Sequence, residues 1–159
     1  MDPLLTVLLV VCALGSGAIG GVFFAFSNFV MAALAHLAPA EGIHAMQAIN
    51  VTVLNRLFLG TFMGTGALSL AAIVVALLRW DGLGSLCIVL AGATYALGSI
   101  VVTMRGNVPL NNALMRVTQA DTLGEATWRG YLRDWTKWNH VRTIACFVAM
   151  VLFVISPLL

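Results

Sequence analysis

The sequence predicts an all-α fold: a transmembrane four-helix up-down bundle with a helical extramembrane segment between helices three and four, forming one integral membrane domain over residues 1–159. Three observations carry that expectation. Hydrophobic residues make up 61% of the chain and charged residues 9%, against roughly 45–50% and about 25% in soluble domains. Four apolar runs reach the length needed to cross a hydrocarbon core of about 30 Å. Six of the eight Lys and Arg residues lie between Arg105 and Arg142, so the polar chemistry is gathered into one stretch after the third run.

The first span covers residues 4–34. Its start, MDPLLTVLLVVCALGSGAIGG, has an acidic rather than basic beginning, and the apolar run continues through VFFAFSNFVMAALAHL. That is too long for a cleavable leader, so it reads as a retained helix. Pro39 stops this element, and AEGIHAMQAINVT is expected to be a short connector containing a helical turn. The second span covers 54–78. Arg79, Trp80, Asp81 and Gly82 then make a tight turn into the third, 83–104. The fourth covers 139–155 and ends before Pro157. Within 105–138, VPLNNALMRVTQA and EATWRGYLRDWTKWN both show helical spacing, separated by a break at Asp121, Thr122, Leu123 and Gly124.

Composition also narrows the partners. The net charge of +2 is small and the basic residues sit beside aromatics at helix ends, so nucleic acid is not an expected partner. Cys12, Cys87 and Cys146 each lie inside an apolar run, where a thiol packs as a small hydrophobe, and they form no CxxC or zinc spacing. The lipid bilayer is the partner the composition demands, and homo-oligomerisation is left open.

Small residues predict which helix faces meet, because they let helices approach closely in lipid. The expected inward stripes are Gly17, Gly21, Phe24 and Asn28; Thr52, Arg56, Gly60 and Gly64; Gly92, Ala96, Ser99 and Thr103; and Trp138, Arg142, Ala145 and Ala149. In an antiparallel bundle one end then collects Asn28, Asn50, Asn55, Arg56, Arg105, Asn107, Asn111, Asn112, Asn139 and Arg142. Polar groups at membrane depth are costly and normally face a bundle interior or a wet cavity. The convergence predicts a pocket open to one side. Trp128, Tyr131, Trp135, Trp138, Asn139 and Arg142 recur at steps of three and four, so one helical face carries flat aromatic surfaces followed by an amide and a guanidinium. Trp135 and Trp138 are expected to wall the pocket; Trp128 and Tyr131 fit an interfacial belt equally well.

GVFFAFSNFVMAAL, AMQAINVTVLNRLFL, RGNVPLNNAL and WTKWNHVRT, in order from about Gly21 to Thr143, resemble the anthrone-oxygenase family of small four-helix membrane proteins. NVPLN and W-x-x-W-N-x-x-R are the most specific parts of the likeness. The resemblance implies oxidation of an anthrone-like polycyclic phenol to the quinone by dioxygen, with no cofactor expected beyond dioxygen. It also implies a multi-pass protein of a bacterial inner membrane with a small aromatic substrate.

Such chemistry needs a base, a cation or hydrogen-bond donor for the oxyanion, and a water-poor site. The expected catalytic residues are Arg56, Arg142, His44 and Asn107, with His44 as the base. Asn28, Asn55, Arg105, Asn111, Trp135, Trp138 and Asn139 are expected to bind substrate. His140 lies about 100° around its helix from Asn139 and about 200° from Arg142, facing away from the stripe. No HxxH, HxxxH or ExxH spacing signals a dedicated metal site. A haem, needing only one or two axial ligands, stays an alternative on His44 and His140. The other competing class is a small-molecule transporter or structural membrane subunit. It is disfavoured by the apolar far side, which carries no acidic relay and no inverted repeat.

All of the Lys and Arg residues except Arg79 lie in or beside the first and third connectors, so both connectors are expected in the cytoplasm and both termini outside. A reporter fused to the C-terminus and active only in the cytoplasm should therefore stay silent; an active fusion reverses the orientation.

Overall fold

The computed structural model describes residues 2–118 and 122–159. Five helices account for it: α1, Pro3–Ala35; α2, Pro39–Thr52; α3, Arg56–Leu78; α4, Leu83–Met115; and α5, Thr122–Ile155, followed by a 3-10 turn at Ser156–Leu158. All but the shorter α2 contribute a stretch long and apolar enough to cross a membrane, which makes this a multi-pass membrane protein with a helix-bundle core.

Local sequence explains the ends. Asp2 accepts a hydrogen bond from the Leu4 N–H at 2.9 Å and Pro3 supplies the first helical position of α1. The Arg79 guanidinium, 2.7 Å from Asp2, and the Leu4 N–H hold the Asp2 carboxyl below the usual carboxylate range. Asp81 and Ser85 bond reciprocally at the start of α4: the Ser85 N–H and hydroxyl both donate to Asp81 Oδ1, which lowers the Asp81 pKa as well. The tight turn expected at 79–82 is present, with Gly82 at φ +109°, a conformation a side chain disfavours.

Pro39 initiates a helix rather than only ending one, and the expected short connector is the 14-residue α2. Proline fits the first turn because its missing N–H has no intrahelical partner there in any residue. The segment at 105–138 does not stand apart from spans three and four. Its first part continues α4 to Met115, and its second part is the N-terminal portion of the 34-residue α5. At 1.5 Å per residue α5 is about 51 Å long, well beyond a hydrocarbon core, so its Trp-rich end projects out of the spanning region. Of the expected break, Asp121 lies outside the described residues, and Thr122, Leu123 and Gly124 already belong to α5.

Two apolar cores are stacked along the bundle. The larger packs residues such as Leu9, Ile19, Phe62, Tyr95, Cys146 and Phe153; the smaller gathers Met31, Ile43, Met46, Leu114, Trp128 and Tyr131 under α2. The inward stripes of α4 and α5 run as expected through Gly92 and Ser99 and through Arg142, Ala145 and Ala149. Those of α1 and α3 are rotated. Gly21, Gly60 and Gly64 have nothing within 4 Å of where a Cβ would stand, and Phe24 and Asn28 are exposed. Ser16, Gly20 and Phe23 face inward instead, as do Phe62, Thr65 and Ser69. Small and apolar residues surround α1 and α3 on every side, so spacing offered two adjacent stripes of nearly equal merit.

Between the two cores the helices depart from α geometry. Phe26–Val30 in α1 and Ala96–Val101 and Thr103–Asn107 in α4 wind as π-helix. The last of these precedes Pro109, whose missing N–H and bulky ring an undisturbed α-turn accommodates poorly. These wider turns stand beside the polar centre of the molecule.

Candidate functional site

A cavity of about 380 Å³ lies between the two cores, where the π turns of α1 and α4 meet α5 and the α2–α3 junction. Its size falls within the range of small-molecule sites, about 300–1,000 Å³. Phe23, Phe26, Phe58, Phe62, Met46 and Trp135 supply most of its apolar wall. It reaches the surface at Val51, Leu54 and Asn112, all exposed. The polar lining is Arg142 and Thr103 in the interior, with Asn50, Asn111 and Asn112 nearer the mouth.

Arg142 is 5% exposed. Its Nη2 donates to Asn139 Oδ1 at 2.7 Å and its Nη1 to Thr103 Oγ1 at 3.2 Å. The guanidinium carbon stands 4.1 Å from the ring centre of Phe23 and 5.1 Å from that of Trp135. A cation over a desolvated aromatic face gains about 2 kcal/mol or more, which offsets part of the cost of taking the charge out of water. The Nε–H has no hydrogen-bond partner among the described residues.

Asn139, 0% exposed, holds the arginine in place. Its Nδ2 donates to the Phe23 carbonyl and to Ser27 Oγ, both at 2.7 Å, which ties α5 to the π turn of α1 and leaves Oδ1 aimed at Arg142. Thr143 Oγ1 donates to the Asn139 carbonyl at 2.9 Å and lies 3.0 Å from Ser27 Oγ. Trp135 is set by a second junction. Its Nε1–H and the Tyr131 hydroxyl both donate to Asn111 Oδ1 at 2.8 Å. Trp128, Tyr131 and Trp135 stack in succession, with ring centres 5.8 and 6.0 Å apart.

The remaining candidates are placed elsewhere. Asn107 is 1% exposed but does not line the cavity; its Nδ2 donates to the Trp135 carbonyl at 3.1 Å, joining α4 to α5. Asn55 caps α3, accepting from the Phe58 N–H at 3.0 Å and donating to the Thr52 carbonyl at 3.1 Å, so its amide is committed to the backbone. Arg56 follows on the exposed first turn of α3, and Arg105 and Asn28 are exposed as well; none of the three lines the cavity. His44 points outward from α2, and His140 is also exposed, so neither the expected base nor the expected haem pair reaches the cavity. Trp138 is 44% exposed and covers Gly106, where a Cβ would lie 2.7 Å from the indole, so it seals the helix pair instead of walling the pocket. Trp128 and Tyr131 are buried under α2 and are not a surface belt.

Phe23, Phe26 and Ser27 were not among the candidate site residues. The signal available for them was the SN pair following an aromatic run in an apolar span, since a polar pair there needs partners from another helix.

A four-span membrane bundle with a mostly apolar cavity built around a buried arginine is the class of protein that fold and site define. The chain belongs to the anthrone oxygenase family, whose sequence model matches residues 55–152, from the cap of α3 through most of α5. No curated protein and no solved structure matches it.

Proposed function

We propose that this protein is an oxygenase that takes a flat phenolic polycycle and converts an anthrone-type CH2 to a quinone carbonyl with dioxygen. The observation that carries the reading is buried Arg142 itself, a cation lining an aromatic-walled cavity with no carboxylate paired to it among the described residues and so suited to an oxyanion. Membership of the anthrone oxygenase family supports the same reaction class.

The substrate ring packs against Trp135 and the neighbouring phenylalanines, with its phenolic oxygens toward the asparagines nearer the mouth. Among the described residues no carboxylate or imidazole lines the cavity, so the carbon acid gives its proton to water at the open end. Arg142 lowers the cost of that ionisation by holding the enolate oxygen. The enolate passes one electron to dioxygen, and the radical pair combines to form a C–O bond. The resulting peroxide takes up a proton; the remaining C–H and the O–O bond then break, releasing water. The balance is CH2 + O2 → C=O + H2O. The exposed apolar side chains of Val51 and Leu54 at the mouth suit a substrate arriving from the bilayer. Transport fits less well, because beyond the cavity the interior is filled by Tyr95, Cys146 and Phe153.

The test is purified protein in detergent with an anthrone and dioxygen, with and without a chelator, read as quinone absorbance against the spontaneous rate. Turnover above background, insensitive to chelator and lowered at least tenfold by Trp135→Leu, is the expected result. Background rates across several phenolic polycycles would reject the oxygenase and return the protein to the transporter or subunit class.

A further inference from the structure

We infer that the cavity takes its ligand as an anion: a flat aromatic molecule carrying one negative charge on a ring substituent, carboxylate or phenolate, seated on Arg142. This rests on the cavity being the substrate site. It adds a ground-state charge that the oxygenase reaction does not itself require, since a neutral ketone can enter and ionise afterwards.

Buried guanidinium groups are normally paired with carboxylates. Arg142 is not. Both of its hydrogen-bond partners, Asn139 and Thr103, are neutral, and so are the two rings against it. Among the described residues the ion pairs are Arg79–Asp2, Arg133–Asp134 and Lys137–Asp134, all on well-exposed side chains. The interior therefore carries a positive charge for which the described chain supplies no counter-ion.

The way the charge is held points in the same direction. Asn139 is fixed by the Phe23 carbonyl and Ser27 before it accepts from Arg142, so the guanidinium is positioned without being neutralised. The guanidinium is 5% exposed, and it lines the cavity. Among the described residues the rest of the lining is apolar, hydroxyl or amide and contains no acidic side chain to repel an anion. A positioned, unneutralised cation in an otherwise uncharged slot is what a site needs when the counter-charge arrives with the ligand.

The probes are anthracene-2-carboxylate, its primary amide and 2-methylanthracene, which share a ring system and differ in charge. Their binding to the whole protein in a non-ionic detergent at neutral pH is read from quenching of tryptophan fluorescence, with free concentrations corrected for partition into micelles. The carboxylate is expected to bind about tenfold or more tightly than either neutral analogue, the discrimination a charge-assisted hydrogen bond supplies. Thr103→Asp, which offers Arg142 a carboxylate from the chain, and Arg142→Gln should each remove the preference. Equal or weaker binding of the carboxylate to the unmodified protein overturns the inference, and that comparison holds even where a variant fails to fold. A preference that survives in both variants moves the anion away from Arg142 and overturns it too. Quinone formation without the preference leaves the oxygenase standing and this inference rejected; the preference without quinone formation does the reverse.

Discussion

Replacing Arg142 with methionine is expected to lower kcat/KM for quinone formation about a hundredfold to a thousandfold, the usual loss when one oxyanion donor is removed. The bundle is expected to survive. Removing a guanidinium buried without a carboxylate removes a desolvation cost of several kcal/mol. Against this stand two charge-assisted hydrogen bonds, at about 1.5–3 kcal/mol each, and two aromatic contacts at about 2 kcal/mol each. These opposing terms are of similar size, and methionine fills much of the vacated volume, so the thermal midpoint should move by only a few degrees. Arg142→Lys should not restore activity. A point ammonium cannot reproduce the planar fork that holds Asn139 and Thr103 and spreads its charge along the cavity wall. Kinetics and thermal unfolding of the two variants check this together, and a folded, fully active Arg142→Met protein would remove Arg142 from the chemistry.

The largest effect on stability is expected at Asn139. Leucine is close in size but removes both donors and the acceptor, so the Phe23 carbonyl and Ser27 each lose their link to α5 through Asn139, and Arg142 Nη2 loses its partner, at once in the middle of the bundle. Hydrogen bonds between membrane helices average about 0.6 kcal/mol and reach about 1.7, so two of them together with an orphaned guanidinium N–H suggest a loss of about 3 kcal/mol. Unfolding in a graded denaturing detergent should show it. The Arg142 side chain, released from Oδ1, should also lose its place over Phe23, so activity falls in the fraction that remains folded. An Asn139→Leu protein that unfolds like the unmodified chain would mean that this junction does not set the register of α5 on α1.

Much of the site's centre was legible because α5 alternates in character. W-x-x-W-N-x-x-R places Trp135, Asn139 and Arg142 on one face at steps of three and four, and the helix has a polar side against which that face stands out. The same spacing included Trp138, which in the structure turns to cover Gly106. The step of four from Trp138 to Arg142 leaves some 40° of rotation undecided, enough to carry a ring from a pocket wall to a helix seam.

His44, Asn55 and Arg56 show a different limit. A polar residue at a helix end has several possible tasks, and sequence alone does not separate them. The Asn55 side chain is spent on the first turn of α3, Arg56 follows it outward, and His44 lies on the outer face of a helix expected to be a mere connector. Capping is decided by the dihedral angles of a chain end, and those depend on where α2 delivers the chain.

By itself the sequence determined the class: four apolar runs of spanning length, polar chemistry concentrated from Arg105 to Arg142, and the family to which the chain belongs. Length and composition suffice for these, because crossing a hydrocarbon layer depends on how many apolar residues follow one another. Only the tertiary structure decided which stripe of α1 and α3 faces inward, that α2 roofs the smaller core, and that Arg142 rests on neutral partners and aromatic faces without a carboxylate. A helix apolar on all sides carries no rotational signal of its own. Its setting comes from which small residues admit a neighbouring helix, and that depends on side chains distant in the chain.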